Sequence, residues 1–219
     1  MHTTTKATWL ALAALALAGL AGCAALEPKP DYDALAAAMY KSSFRDQGIA
    51  KVDRLQQDAS NAECSASEGK PLSEARTKAI EAANLATVKM PSDGRFIGNW
   101  RAGETLAQNG RGMTWTDPSA APAANGGNCY NCHQISKAEV SFGTIGPSLY
   151  NYGKLRGVTD PASPASRAIV EYTWGKLYNA KAYSACSDMP RFGHTGMLDE
   201  TQLKNLMALL LDPASPVNQ

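Results

Sequence analysis

The residues of this sequence with the clearest chemistry are two cysteines and a histidine in the run Cys129-Tyr130-Asn131-Cys132-His133. Cys-x-x-Cys-His is the attachment motif for c-type haem. The two thiols add to the vinyl groups of the porphyrin as thioethers, and the adjacent imidazole is then held beneath the ring as an iron ligand. The motif predicts one covalent haem c, attached through Cys129 and Cys132, with His133 as an axial ligand.

A Cys-x-x-Cys pair can also bind zinc or exchange disulfides. A structural zinc site needs four ligands, and the soft donors left outside the motif and the first residues are Cys64, Cys186 and His194. A thioredoxin-like site needs a βαβ context, which the sequence does not indicate. Haem attachment is therefore the favoured prediction.

The second axial ligand is expected after the motif, where Met189, His194, Met197 and Met207 are the candidates. Met207 lies in the apolar stripe of a predicted helix, so core packing explains it. Met189 precedes Pro190 in a rigid loop before that helix, and a thioether there would favour Fe(II) and raise the reduction potential. We expect Met189 to be the ligand. The alternatives are ligation by His194 or Met197, with Met189 filling the core.

A proline after the motif could orient the histidine. In Gly146-Pro147 the proline carbonyl could accept the ring N–H of His133 and fix the imidazole, as outer partners of metal-bound histidines commonly do. Any turn could contain such a proline, so its presence alone is weak evidence. The prediction is a specific contact between Pro147 and His133.

Two further cysteines, Cys64 and Cys186, are left when the motif and Cys23 are set aside. Paired thiols in an oxidising compartment usually form disulfides, so a Cys64–Cys186 disulfide is expected. Cys186 lies three residues before Met189, and as a thiolate it could instead be a haem ligand or a reactive group.

The first residues have the features of an export signal. Lys6 supplies a basic start, and the apolar run from Trp9 to Ala21 is too short to span a bilayer. The sequence Leu20-Ala21-Gly22-Cys23 resembles the lipobox of bacterial lipoproteins, in which the cysteine is lipidated. A periplasmic protein is expected, either tethered to a membrane through Cys23 or released by ordinary cleavage.

The charge of the chain is nearly balanced, with 21 Lys and Arg against 20 Asp and Glu. No basic run stands out, so the sequence gives no indication of nucleic-acid binding. Recognition of proteins through local surface patches is the expected alternative.

Hydrophobic periodicity predicts an all-α chain with long loops and no sheet. Asp31 should cap a helix through Tyr40, and Asp199 with Gln202 should form a capping box. Further predicted helical segments are a stripe of Ile49, Val52 and Leu55, a face of Ala75, Ala79, Ala82 and Ala86, Trp100 to Asn109, Ser163-Pro164 onward to Gly175, and a last helix with Leu203, Leu206, Met207 and Leu210 buried and Pro213 at its end.

The expected domain organisation has three parts. Residues 1–22 form the signal peptide, and residues 23–90 form a helical N-terminal extension. Residues 91–219 form the haem-binding domain, after the turn-forming residues near Pro91. Because alanine side chains bury little area, the extension should pack against another surface rather than fold alone.

These parts together resemble a class I cytochrome c, with the motif, Gly146-Pro147, Met189-Pro190 and the capped last helix in the same order. The resemblance covers residues 98–213. More narrowly, residues 188–194 and 207–213 resemble SoxX, the monohaem subunit of the SoxAX cytochrome of bacterial sulfur oxidation. The resemblance implies a class I cytochrome c fold carrying an N-terminal helical extension.

What the resemblance implies about activity is electron transfer. SoxAX couples thiosulfate oxidatively to a cysteine of a carrier protein, the chemistry of an L-cysteine S-thiosulfotransferase. The SoxA-like subunit carries the catalytic haem, and the SoxX-like subunit accepts electrons and passes them to another cytochrome. The implied partners are thus a SoxA-like haem subunit, a downstream cytochrome and, through the complex, the sulfur carrier.

Two other functions remain open for a haem protein of this kind. A free-standing periplasmic electron shuttle would have the same motif and ligands without a stable enzyme partner. A ligand-sensing haem protein would need a vacant or labile sixth position on the iron. No residue of this chain is expected to be catalytic by itself.

Overall fold

The computed structural model describes residues 29–219, and this part of the chain is helical. The described residues divide into two compact units between Phe44 and Arg45. Within the described range the α-helices are α1 (Tyr32–Ser43), α2 (Ala59–Ala66), α3 (Glu74–Leu85), α4 (Trp100–Gln108), α5 (Tyr152–Leu155), α6 (Arg167–Tyr178) and α7 (Glu200–Leu211). No strand occurs in residues 29–219, where a single isolated bridge joins Gln47 and Ala50. The all-α prediction is confirmed for this part.

The predicted capping residues begin their helices as expected. The Asp31 carboxylate accepts a hydrogen bond from the amide of Ala34, and α1 follows. In α7 the Asp199 side chain accepts from the Gln202 amide, while the Gln202 side chain accepts from the Asp199 amide. This reciprocal arrangement satisfies two amides that have no partner within the helix.

The core of residues 45–219 lies where α4 and α7 cross. Gly103 makes the crossing possible, because a Cβ atom at that position would lie 2.1 Å from the carbonyl oxygen of Asn205. The buried stripe of α7 predicted from the sequence is confirmed, and Met207 is fully buried within it. Trp174 of α6 packs edge-on against Phe96 and adds the largest buried side chain to this core.

The N-terminal extension differs from the prediction in its second segment. Ile49, Val52 and Leu55 do not form an α-helix, and only a 3-10 turn spans Val52–Leu55. A helix that was not predicted, α2, begins after Asp58, whose side chain accepts from the amide of Asn61. Three apolar residues at suitable spacing are too few to nucleate a helix without packing, whereas a capped start costs less.

Helix α3 packs through a different face than the alanine pattern indicated. Its alanines are exposed, and the buried residues are Ile80 and Asn84. Asn84 donates from Nδ2 to the hydroxyl of Ser60 in α2 at 2.9 Å, and Asn179 donates to Oδ1 of Asn84 at 3.0 Å. Residues 45–90 of the extension pack against the rest of their unit, and this polar contact is part of that packing. The predicted boundary near residue 90 stays a prediction.

Candidate functional site

The Cys-x-x-Cys-His motif lies on a tight turn at the surface of the core. Cys129–Asn131 form one 3-10 turn, and the amide of His133 donates to the carbonyl oxygen of Cys129 at 2.9 Å. Tyr130 between the cysteines is buried and its hydroxyl accepts from the amide of Ser136. The turn therefore fixes both sulfurs and the imidazole on one short, core-anchored segment.

Both motif cysteines are free thiols in the structure. Burial raises the pKa of the Cys129 thiol to about 12, and the neighbouring Cys132 sulfur acts in the same direction. Reactive catalytic cysteines have lowered pKa values, because the thiolate is their nucleophilic form. The environment of Cys129 is thus unlike that of a catalytic thiolate and is compatible with a sulfur that forms a thioether.

His133 is oriented by the proline predicted to contact it. Its Nδ1 lies 2.7 Å from the carbonyl oxygen of Pro147. A carbonyl can only accept a hydrogen bond, so Nδ1 carries the proton and the Nε2 lone pair is left to bind a metal ion. The contact between Pro147 and His133 is present as predicted.

Gly146 supplies the space in which this imidazole lies. A Cβ atom at position 146 would lie 2.1 Å from Cε1 of His133 and 2.4 Å from its Nδ1. The Gly146 amide also donates to the carbonyl oxygen of Cys132 at 2.8 Å. The backbone at Gly146 therefore forms a cradle for the ring, and the sequence pattern did not reveal this role.

The loop after the motif carries apolar side chains that face outward. Val140 is 89% exposed, Ile145 is 80% exposed and Phe142 is 38% exposed. The loop is held to the motif by the Gly143 amide, which donates to the carbonyl oxygen of Tyr130 at 2.8 Å. These apolar residues follow the two free thiols and the oriented imidazole in the chain. A covalently attached porphyrin would cover exposed apolar side chains of this kind. The residues present fit a c-type haem.

Three of the four candidates for the second axial ligand, Met189, His194 and Met197, lie in a separate segment before α7. Met189 and Met197 are both half-buried against the core. The Nδ1 atom of the largely exposed His194 forms a 3.1 Å hydrogen bond with the hydroxyl of Thr87. Partial burial of the ring, together with the nearby Arg191, lowers the pKa of His194. Met207 is fully buried in α7, in agreement with its predicted role in the core.

Cys64 and Cys186 form the predicted disulfide, with an S–S distance of 2.03 Å and a Cα–Cα distance of 5.5 Å. The bond removes both sulfurs from the list of zinc ligands and removes Cys186 as a thiolate. Among the described residues, no group of three or more Cys, His, Asp and Glu side chains is arranged around a common centre.

A groove of about 920 Å³ lies between the extension and the segment that carries Met189. Its wall includes Cys186, Met189, Arg191 and the buried Lys181, whose ammonium donates to the carbonyl oxygen of Ala185 at 3.2 Å. Burial lowers the pKa of Lys181, and the nearby Arg191 lowers it further.

The sequence analysis missed the ion pair between Arg191 and Asp58. Arg191 is largely buried, and the hydrogen bond from its guanidinium helps to lower the pKa of Asp58 against the effect of burial. No local pattern links residues 133 positions apart, so no signal in the sequence could have found this pair.

Comparison with known proteins gives one relative of undescribed activity. A protein of Aquifex aeolicus (strain VF5), described as an uncharacterized lipoprotein, is 36% identical over 138 residues, which is 61% of this chain and 59% of that protein. The match therefore covers less than two thirds of the relative's length. No family model matches the chain.

The expected signal peptide and the lipid attachment at Cys23 lie outside the described residues. In residues 29–219, none of the helices has the length and apolar character needed to cross a bilayer.

Proposed function

We propose that this protein is an exported c-type cytochrome that carries one haem and transfers electrons. The observation that carries the proposal is the pairing of His133 with Pro147, beside two free cysteines on the same turn. In the neutral ring, this hydrogen bond assigns the proton to Nδ1 and leaves Nε2 as the nitrogen that can bind iron.

Each residue of the motif has a separate task in this function. Cys129 and Cys132 attach the porphyrin, and the buried Tyr130 between them ties the turn to the core. Pro147 holds the tautomer and orientation of His133, and the glycine at 146 leaves room for the ring. When bound, the haem supplies a one-electron Fe(III)/Fe(II) couple whose potential depends on its axial ligands.

Met189 is the proposed second axial ligand. It is half-buried in a segment without regular structure, followed by Pro190. The competing Met207 is fully buried in α7. His194 contacts Thr87 through Nδ1, and this contact does not engage Nε2, so His194 stays an alternative ligand. Met197 is half-buried as Met189 is, so a variant at each position is needed.

The first test is retention of haem by the denatured protein. Thioether bonds survive denaturation, so the wild-type band on a denaturing gel should stain for haem peroxidase activity. Cys129→Ala with Cys132→Ala should remove the stain, while Cys64→Ser with Cys186→Ser should keep it. A wild-type protein that releases its haem under these conditions would contradict thioether attachment.

More specifically, we propose that the protein is the SoxX-like subunit of a thiosulfate-oxidising SoxAX complex. The support is the order of the motif, Gly146-Pro147, Met189-Pro190 and the capped last helix. The lipoprotein relative supports a membrane-tethered periplasmic location through Cys23. In this role the chain accepts electrons from a SoxA-like haem subunit and passes them to another cytochrome, without turning over thiosulfate itself.

Reconstitution tests this narrower assignment. The haem-loaded protein alone should not oxidise thiosulfate, whereas addition of a SoxA-like subunit and a cysteine-bearing sulfur carrier should give turnover and reduce this haem. His133→Ala, which lacks the proposed ligand, is the control. Reduction by other cytochromes without any stable partner would favour the free-standing shuttle instead.

A further inference from the structure

Residues 58–88 of the extension, here called the brace segment, hold residues 186–194, here called the Met189 loop, at three points. The first is the disulfide between Cys64 and Cys186. The second is the ion pair between Asp58 and Arg191. The third is the hydrogen bond of 3.1 Å between Thr87 and His194. Two of these points lie within three residues of Met189, one on each side.

The Met189 loop has little internal structure that could position the methionine. Residues 187–191 belong to no helix or turn. The amide of Met189 donates to the hydroxyl of Ser187, a neighbour in the same stretch, at 3.2 Å. Secure attachment to the core resumes at Phe192, which is buried, and at Gly193, whose amide donates to the carbonyl oxygen of Tyr178 at 3.1 Å. Without the brace segment, the stretch between Lys181 and Phe192 would be a longer and more mobile loop.

The brace segment is itself anchored independently of that loop. The Asn84 side chain accepts a hydrogen bond from Asn179, and the indole of Trp174 donates to the carbonyl oxygen of Lys89, the residue after the brace segment, at 2.8 Å. These contacts fix the brace segment on α6 and on the residues that follow it. The links from the brace segment to Cys186 and Arg191 can therefore hold the Met189 loop in one position. Met189 lines the groove of about 920 Å³ and is half-buried against the core, so close packing holds the methionine only in part.

The geometry points to the brace segment as a positioning element for the axial methionine, with the Cys64–Cys186 disulfide as the element that a change of redox conditions would switch. This inference rests on the proposed function, because Met189 is the proposed iron ligand. Fixing the loop at positions 186 and 191 lowers the entropy that the thioether would otherwise lose on ligation. Cys64, Cys186, Asp58 and Arg191 are accordingly positioning residues.

Switching the disulfide needs a two-electron reductant, such as a dithiol. The reductant's two sulfurs become a disulfide, while the S–S bond between Cys64 and Cys186 breaks and each sulfur takes up a proton. The brace segment then holds the loop at Arg191 and His194 only. Ligation by Met189 should weaken without loss of the thioether-bound haem, since neither Cys129 nor Cys132 takes part in this exchange.

The experiment compares haem-loaded full-length wild type with Cys64→Ser/Cys186→Ser, a variant that has no unpaired thiol. The expected result is equal haem on a denaturing gel, loss of most of the weak red Met–Fe(III) absorption band, and a lower reduction potential. Amide hydrogen exchange of the peptide covering the Met189 loop should be faster, a readout that does not depend on electron transfer. Wild type without covalent haem would overturn the proposed function, whereas a haem-bearing variant with an unchanged band and potential would overturn the brace alone.

A matched pair of single variants separates positioning from general stability. Asp58→Asn removes the charge that holds Arg191 but retains a good helix-capping side chain for α2. Glu63→Gln removes the ion pair with Arg76, which lies entirely within the brace segment. Asp58→Asn should weaken the red band, and Asp58→Glu should restore part of it, while Glu63→Gln should leave it intact. If Asp58→Asn and Glu63→Gln changed the red band equally, the result would contradict a positioning role for Asp58.

Discussion

Asn179 donates a hydrogen bond from Nδ2 to Oδ1 of Asn84 at 3.0 Å, and both side chains are almost completely buried. Asn179 also donates to the hydroxyl of Thr87 at 3.0 Å and accepts from the amide of Lys181 at 3.2 Å. This pair joins α3 to the residues that follow α6, and so joins the extension to the segment that leads to Met189.

We expect Asn84→Ala to lower the free energy of unfolding by about 1–3 kcal/mol, because it leaves buried polar groups of its partners without a hydrogen bond. Urea denaturation followed by circular dichroism measures the change. Gln56→Ala, at an exposed amide, is the control and should be close to neutral. Equal stability of the Asn84 variant and wild type would show that the buried pair is dispensable.

Gly146→Ala should reduce covalent haem incorporation, because the added methyl group would lie 2.1 Å from Cε1 of His133 and displace the imidazole. Haem per polypeptide, measured from the absorption of the alkaline pyridine complex, reports the effect. Gly157→Ala is the matched control, since it also adds a methyl group but meets open space, with strain only from its positive φ. Full haem loading of Gly146→Ala would contradict the proposal that Gly146 provides the space for the imidazole.

Met189→Leu should abolish the weak red band of the oxidised protein and lower the reduction potential, because loss of a soft thioether ligand favours Fe(III). Absorption spectroscopy and redox titration measure both effects. Met197→Leu, at another half-buried methionine, should leave both unchanged. An unchanged spectrum in the Met189 variant would move the assignment to Met197 or His194.

Removal of the disulfide by Cys64→Ser/Cys186→Ser should lower the free energy of unfolding by about 4–5 kcal/mol on the chain-entropy estimate, because the bond closes a long loop. The two cysteines are 122 positions apart. Urea denaturation of haem-loaded protein measures the loss, and mass mapping without reduction should recover the two peptides linked. Free thiols at both positions in freshly prepared protein would contradict the disulfide.

Lys204 should stabilise the protein at neutral pH and not in acid. Hydrogen bonds from Lys204 hold the pKa of Asp93 well below its ordinary value of 3.8 and lower the pKa of Glu200 as well. A carboxyl with a lowered pKa in the folded state stabilises that state above its ordinary pKa, and the contribution is lost as the pH falls towards the lowered value.

The comparison that tests this pH dependence is wild type against Lys204→Met in urea. The wild type should be the more stable at neutral pH, and the difference should shrink as the pH falls below the ordinary carboxyl pKa. Added salt should also reduce it, because both carboxylates are exposed. A difference that stays constant down to acid pH would indicate lost packing of the lysine side chain instead.

The features that the sequence predicted correctly are determined over a few neighbouring residues. Asp199 and Gln202 cap α7 within one turn, and the apolar stripe that follows is buried as its spacing indicates. The Cys-x-x-Cys-His motif is equally local, because five consecutive residues carry both sulfurs and the imidazole, and the haem attachment inferred from it stays a prediction. The disulfide could be predicted for another reason, since only two cysteines were left to pair.

The features that only the tertiary structure decided involve partners far apart in the chain. Nothing in the sequence distinguishes Asp58 as the carboxylate that meets Arg191, or Asn84 as the amide that meets Asn179, because many residues of each kind are available. Contacts between distant parts of the chain also decided that Ile80 and Asn84 of α3 are buried in place of its alanine face. In α3 the apolar residues do not form one dominant face, and the surface that the helix meets selects which face is buried.

The surroundings of the His133 imidazole combine local features and tertiary features within a single site. The sequence by itself determined that His133 follows a Cys-x-x-Cys pair and that a proline comes after it. The fold decided that the Pro147 carbonyl reaches Nδ1, and that Gly146 must lack a side chain for the ring to lie there. The physical reason is that ligand type is a property of one residue, whereas orientation depends on contacts with a loop that returns to the motif only when the chain folds.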